Sequence, residues 1–581
     1  MRKTLLLPLL VTLCCVMLSC SKNSFLDQTV TSSLDEAATF SDSTNSIAFL
    51  TQIYVDMGFS QDPRRFSGGG FAAGLDAASD EAEGPNASST NGFIQFATAS
   101  VNPTVVPDDA WGIPYKNIRA VNIFLRNLSR IPFSSSQKST TEAEARFLRA
   151  WYYAIMLQHY GGVPLIGDSV FTADKPIPAV RNTYQQCVDY IVAECDFAAS
   201  NLPNTRAGSD FGKISRGACF ALKSRVLLFA ASPLFNSGGT SGGGPLASIV
   251  AYPDADPARW KKAADAAAAV IGLNAYHLFY DSTTIPAEKG YGFQALFMTR
   301  YTTEHIVPRM MPDNKYLESL WDVPSRGGNG GPYPYQETVD AFGMQNGLAI
   351  TDPASGYDAQ NPYKNRDPRL NYSVIHDSTL RPVFGANEPS PVLLYTNTAA
   401  NPPVAASGDA VFKGTPTGYY IYKMVNRNVS NNGLSGSPRS IPLIRYAEIL
   451  LNYAEAANEF AASPDGLIYA AVEDIRRRAG LRPYELPPGL TKEQMREVIR
   501  HERQVELMYE GHRFFDVRRW MIAEGTQDQQ MHGMEVRRNG ASVTYNVFNV
   551  RKHNFTRAMY LWPLPLREIS KSPELLQNPL Y

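Results

Sequence analysis

Apolar residues recur at helical spacing in two stretches of this chain, about 34–275 and 440–525, and lose that spacing in between. In the first stretch, Thr140, Thr141 and Glu142 open a segment with Leu148, Trp151, Tyr152 and Ile155 on one face. Gly161, Gly162 and Pro164 end it. Residues 181–201 and 214–232 follow the same pattern, and an Ala-rich run from Trp260 to Ile271 stops at Gly272. Trp111 is expected to precede a helix carrying Tyr115, Ile118 and Asn122, where it serves packing. In the second stretch, Ile449, Leu450, Tyr453, Ala456 and Ala457 mark one helix, and Ile475–Ala479 and Met495–Tyr509 mark two more. Residues 276–437 are rich in Gly, Pro, Tyr and Asn, with a run Arg326, Gly327, Gly328, Asn329, Gly330, Gly331. Helix faces must be buried against one another, so the expectation is a mostly α scaffold of helix pairs interrupted by a loop-rich part.

The N-terminus reads as an export leader. Arg2 and Lys3 precede an almost wholly apolar Leu5–Leu18, followed by Ser19 and Cys20. The apolar run is too short to span a membrane comfortably. A small residue before Cys20 resembles a bacterial lipoprotein cleavage site, so residues 1–19 are expected to be removed and Cys20 lipidated. Met17 stands where Leu is usual, and ordinary cleavage nearby with Cys20 uninvolved is the alternative. Cys187, Cys195 and Cys219 then remain. Cys187 and Cys195 lie on one predicted helix, about 12 Å apart along its axis, too far for a disulfide. All three are expected to be buried free thiols.

With 54 basic and 55 acidic residues the net charge is −1, which excludes a strongly basic nucleic-acid binder. No internal run is apolar enough for a polytopic membrane protein. Catalytic and metal motifs fail on inspection. The stretch from Gly208 to Lys213 is one residue short of a phosphate-binding loop, and Ile214 stands where Ser or Thr should hold a metal. His501 and Glu502 open a helical zinc motif that Val505 breaks. No metal site, catalytic residue or cofactor is expected. A structural Ca²⁺ would need a loop of regular oxygen spacing, and none supports it. Arg476, Arg477 and Arg478 read as a solvated face at a helix end.

Aromatic content is the positive signal, with 30 Tyr, 28 Phe and 6 Trp. Phe93, Trp321, Tyr333 and Tyr335 sit in loops beside Gly and Asn. An aromatic face with amide neighbours suits a sugar, which has apolar C–H faces and a rim of hydroxyls. Each ring could equally plug its loop onto the core.

Ordered motifs carry a resemblance. The segment Glu144–Tyr153, continuing to Tyr160–Leu165, is similar to the signature of the SusD/RagB family. So, in order, are Phe25–Asp27, Ser79–Glu81, Gly212–Ala218, Asp367–Leu370, Arg445–Glu448, Asn452–Glu455, Glu510–Asp516 and Trp562–Pro565. The resemblance implies a helical domain of tetratricopeptide-like pairs over residues 20–581. It also implies an outer-membrane lipoprotein of Bacteroidetes facing outside, and glycan capture without catalysis. The implied partner is a SusC-like TonB-dependent transporter; peptide or glycopeptide cargo is the alternative. The motif residues read as structural: Arg146 and Arg149 are placed to meet acids on neighbouring helices, and Glu448, Glu455, Arg503 and Glu510 likewise. By position, starch-binding relatives place the ligand against segments corresponding to 82–96 and 313–336. That puts Phe93, Asn86, Trp321, Asn329, Tyr333 and Tyr335 at the expected site, although these segments do not match a starch-type site residue by residue.

Overall fold

Nine helices of 13 residues or more occur among the described residues, which in this computed structural model are 35–66, 73–85, 92–172, 179–240, 243–280 and 289–581. They are α1 Ser43–Val55, α2 Asp109–Asn127, α3 Ser135–Tyr160, α4 Tyr184–Asn201, α5 Arg216–Ala231, α6 Ala258–Ile271, α7 Tyr446–Phe460, α8 Gly466–Ala479 and α9 Lys492–Glu506. From α2 to α7 each packs on the next, and α8 and α9 pack on α7. The two helical stretches therefore form one mostly α scaffold, continuous from α6 to α7. The intervening segment is inserted between two touching helices.

Local chemistry sets the ends. Helix α3 starts before Thr140 because Ser134 and Gln137 cap each other's backbone N–H groups at 3.3 and 3.0 Å. It stops at Gly161, which takes a left-handed φ of 77°. Gly162 follows because a Cβ there would lie 2.1 Å from the Asn182 carbonyl oxygen. Trp111 falls inside α2 rather than before it, and its ring packs edge-on against Tyr115 and Tyr160. Arg146 and Arg149 both reach Glu194 of α4, at 2.6 and 2.9 Å, while Arg149 also holds Asn122 of α2 at 2.9 Å. Glu194 thus ties α4 to α3, and Arg149 extends the link to α2. Cys187, Cys195 and Cys219 are buried free thiols, and burial pushes the Cys187 thiol up to about 11.

The inserted segment builds a second core, joined by residues from the end of α9 and the chain after it. Phe293, Phe297, Trp321, Tyr372, Tyr420 and Met508 are among the residues that build it. Its entry and exit are zipped together, strand His305–Met310 running antiparallel to Ser440–Arg445. A long hairpin, Gln530–Asn539 with Ser542–Lys552, closes one side. Thr396–Asn397 pairs parallel to its first strand, and Val404–Ala405 pairs with Thr396–Asn397.

The seam between the two cores is charged. Arg445 binds Glu304, Glu506 and Glu510 at 2.8, 2.6 and 2.7 Å. Arg369 binds Asp367, Glu502 and Glu506 at 2.8, 2.5 and 3.0 Å. Lys423 holds Glu510 at 2.7 Å. Arg478 bridges Glu304 and Glu506, and Arg476 stands 3.9 Å from Glu502. The arginine run expected to be solvated therefore divides: Arg477 is exposed, whereas Arg476 and Arg478 turn inward because carboxylates from the inserted segment and α9 await them. Burial alone would raise Glu510, but Arg445 and Lys423 hold it at about 2. Glu448 meets Arg225 at 2.7 Å, Glu455 meets Arg519 at 2.5 Å and Arg503 meets Asp516 at 2.7 Å. The expected inter-helix role of these residues is what the structure displays.

Candidate functional site

Three distant segments meet at the edge of the inserted segment. Strand Ala82–Glu83 pairs antiparallel with Tyr333–Pro334, setting Glu83 opposite Tyr333. Strand Ser542–Lys552 runs past them, and the loop 410–416 closes the group. Together they enclose an open cleft of about 540 Å³ lined by Glu83, Pro85, Tyr333, Phe412, Phe548 and Arg551, among others.

The apolar wall is formed by Phe412 and Phe548, with ring centroids 4.8 Å apart at 60°. Phe412 is 63% exposed. It heads a tight turn in which Phe412 N–H donates to the Thr415 carbonyl at 2.9 Å and Gly414 N–H to the Ala410 carbonyl at 2.8 Å. Buried Ala410 and Val411 anchor the turn. A Cβ on Gly414 would lie 2.5 Å from the Tyr420 hydroxyl, so the turn packs directly on that ring. Phe412 itself has φ +63°. A left-handed conformation costs a side-chain-bearing residue about 1–2 kcal/mol, and an exposed ring recovers little of it by burial. Such strain concentrates at binding sites.

The polar wall is Glu83 and its partners. Arg551 grips the carboxylate with Nε at 2.6 Å and Nη2 at 3.1 Å. Tyr335 donates its hydroxyl to Glu83 at 3.0 Å, Gly84 donates its N–H at 3.0 Å, and His553 Nε2 stands 3.0 Å from the Tyr335 oxygen. Burial lowers His553 to about 4, so it is neutral at pH 7. Burial, then the neighbouring Glu83, raises the Tyr335 phenol far above its ordinary value, so it stays protonated.

The expected site residues separate. Trp321 ends a short helix, Tyr316–Trp321, and is buried in the core of the inserted segment. Phe93 lies flat against Gly84, where a Cβ would come 2.1 Å from its ring. Tyr335 is buried at 1% exposure. The faces of these three rings are taken by the protein, which corrects their expected role as stacking platforms. Tyr333 is mostly buried edge-on against Tyr420 but borders the cleft. Asn329 is exposed on its Gly-rich turn, with its N–H donating to the Ser319 carbonyl at 2.9 Å, and is not among the cleft's lining. Asn86 and Cys20 lie outside the described residues.

Sequence reasoning missed Phe412, Phe548 and Arg551. A signal for two of them existed: Asn539-Gly540 between alternating apolar residues marks a hairpin, and the strands turn there through Gly540 and Ala541, with Asn539 paired to Ser542 and Gly540 at a φ of 60°. Among the described residues, no group of three or more His, Cys, Asp or Glu could hold a metal, and no helix is long and apolar enough to cross a membrane.

The fold of this chain is shared with known proteins. A family model described as the SusD family matches residues 298–581, and one described as starch-binding, associating with outer membrane, matches residues 24–228. SusD-like protein P2 of Formosa agariphila is 26% identical over 481 residues, 81% of this chain and 79% of that protein. A crystal structure of a SusD-like protein from Bacteroides fragilis superposes with a TM-score of 0.74 at 26% identity, covering 94% of this chain and 99% of that one. A SusD-like carbohydrate-binding protein of the same species shares the fold, with a TM-score of 0.70 at 22% identity over 93% of this chain and 100% of that one. The chain belongs to the SusD/RagB family.

Proposed function

We propose that this protein captures glycans in the cleft between Phe412 and Arg551 and passes them to a TonB-dependent outer-membrane transporter. The observation that carries this reading is an exposed aromatic held in a strained turn, facing a fixed polar wall across a cleft of about 540 Å³. An apolar face plus preset hydrogen-bonding groups matches the two surfaces of a sugar ring. The starch-binding, outer-membrane description of the family model supports the ligand class and the location. Residues 20–581 then work as one unit, anchored through a lipid on Cys20 and facing outward.

The reading is binding without turnover. Glu83, the carboxylate in the cleft's lining, is tied to Arg551, Tyr335 and the Gly84 N–H, leaving it poorly placed to exchange a proton with a substrate. A carrier must release its cargo, so affinities of roughly micromolar to millimolar, about −8 to −4 kcal/mol, are expected.

The test is calorimetry on the mature protein against a panel of polysaccharides, their oligosaccharides and a peptide digest. Saturable binding of one glycan class, lost in Phe412→Ala/Phe548→Ala, is the expected result. Capture of peptides alone would move the cargo to peptide or glycopeptide. Co-purification of a TonB-dependent transporter from detergent-solubilised outer membrane tests the delivery step, and repeated recovery of the lipoprotein alone would count against it.

A further inference from the structure

Arg551 is built differently from a surface arginine. Its side chain is 26% exposed and lines the cleft, yet Nε and Nη2 are both fixed on a carboxylate that is itself buried. Neither of these bonds uses Nη1, which leaves that edge as the guanidinium's contribution to the cleft. Behind Glu83 the support continues inward. Tyr335 commits its O–H to Glu83, so its oxygen can only accept, and neutral His553 must therefore be the tautomer protonated on Nε2. The chain His553, Tyr335, Glu83, Arg551 thus runs from the interior to the cleft with each donor assigned. A long side chain that would otherwise lose rotamer entropy on binding is already ordered.

We propose that this chain is a preset polar subsite: Arg551 is the specificity-determining residue, donating to hydroxyls of an uncharged sugar ring stacked on Phe412, while Tyr335 and His553 are positioning residues. The inference rests on the glycan reading given above. The uncharged class follows from the pairing. A carboxylate or sulfate on the ligand would have to compete with Glu83 for the same guanidinium and would meet a buried negative charge beside it. A hydroxyl needs only the open N–H edge. The other charge in the lining, Lys413, is exposed and screened by salt.

The experiment is calorimetry on the mature protein with four probes: maltoheptaose, laminarihexaose, mannohexaose and oligogalacturonate. The expected result is binding of a neutral probe, changed less than about twofold between roughly 0.05 and 0.5 M salt. Arg551→Gln should weaken it about tenfold or more, the scale of one hydrogen bond to a charged group. Because that change strands Glu83, the double variant Glu83→Gln/Arg551→Gln removes both charges together and should show the same loss with an unchanged melting temperature. His553→Leu should lose about three- to tenfold and His553→Gln, which keeps the donor, should restore affinity. Both arginine variants retaining affinity while Phe412→Ala loses it would overturn this inference and leave the cleft reading standing. A glycan bound equally well by Phe412→Ala and both arginine variants would overturn both. Preference for oligogalacturonate with steep salt dependence, or binding of none of the four probes, would also overturn the inference.

Discussion

Arg445–Glu506 and Arg551–Glu83 are both arginine–carboxylate pairs with a closest approach of 2.6 Å. Their surroundings differ. Arg445 is enclosed, with a side chain 2% exposed and three carboxylates around it; Arg551 is 26% exposed and faces a cleft on one side. In the first place every donor is used inside the protein, so the pair fastens the inserted segment to the scaffold. In the second, one edge is left over. Geometry within the pair does not decide its role; what surrounds it does.

The comparison breaks most visibly through stability. Removing one member of an enclosed pair leaves an uncompensated buried charge, at a cost of about 3–5 kcal/mol. Arg445→Met should lose that much in urea unfolding, because Glu304, Glu506 and Glu510 all lose a partner. Arg551→Gln should cost clearly less, since water can reach Glu83 through the cleft. Equal losses would show that the open edge means nothing.

Proton linkage sharpens the same contrast, because the seam contains carboxyls of opposite tendency. Glu510, held at about 2 by Arg445 and Lys423 against the effect of burial, contributes stability that is present above its ordinary 4.5 and lost as pH falls through about 2. Asp76 runs the other way. Burial raises it from 3.8 to about 6 despite Lys423, and its neighbour Glu81 is raised too, first by burial and then by Asp76. The stability Asp76 gains by staying neutral is full below about 4 and lost as pH rises through 6. Asp76→Asn should therefore gain on the wild type across that window by something on the order of 3 kcal/mol. Parallel stability curves from pH 4 to 7 would remove Asp76 from this role.

At the cleft, the largest change should be in binding alone. Phe412→Ala should reduce glycan affinity about tenfold or more, about 1.4 kcal/mol, while leaving the urea midpoint nearly unchanged, since the ring is mostly in solvent. Phe412→Gly should bind as weakly and be slightly more stable, by up to about 1 kcal/mol, because glycine accepts a φ of +63° without strain. A large stability loss in either variant would assign Phe412 to packing.

How much of this was legible in the sequence follows from the same contrast. Burial on one face imposes a period, so the scaffold helices were readable, as were Arg146, Arg149, Glu448 and Glu455 as inter-helix partners. Arg478 was not. Its partner Glu304 is 174 residues away, and nothing local distinguishes an enclosed arginine from a solvated one in a run of three. The cleft was harder still. Composition placed aromatics in loops but carried no information on which way a ring turns. Trp321 and Phe93 turned inward, while Phe412, with no Trp, Tyr or Asn beside it to flag a sugar site, turned out. Glu83 and Arg551 are 468 residues apart, so only the folded chain brings them together.

The smallest effect completes the series at the fully solvated end. Lys261 and Asp265 are four residues apart on α6, 2.7 Å between charged atoms, with side chains 56% and 62% exposed. Two unit charges at about 4 Å are worth about 1 kcal/mol in water. Ordering two mobile side chains and screening by salt remove most of that, leaving about 0.3–0.5 kcal/mol for a helical pair. The order of the pair subtracts more, since a lysine preceding its acid puts positive charge nearer the helix N-terminus, where the dipole disfavours it. Lys261→Ala, which also inserts the best helix former, should therefore shift stability by less than about 0.5 kcal/mol in either direction. A loss above about 1 kcal/mol would mean that this pair works as the enclosed ones do, and burial would no longer separate charges that hold the fold from charges that do not.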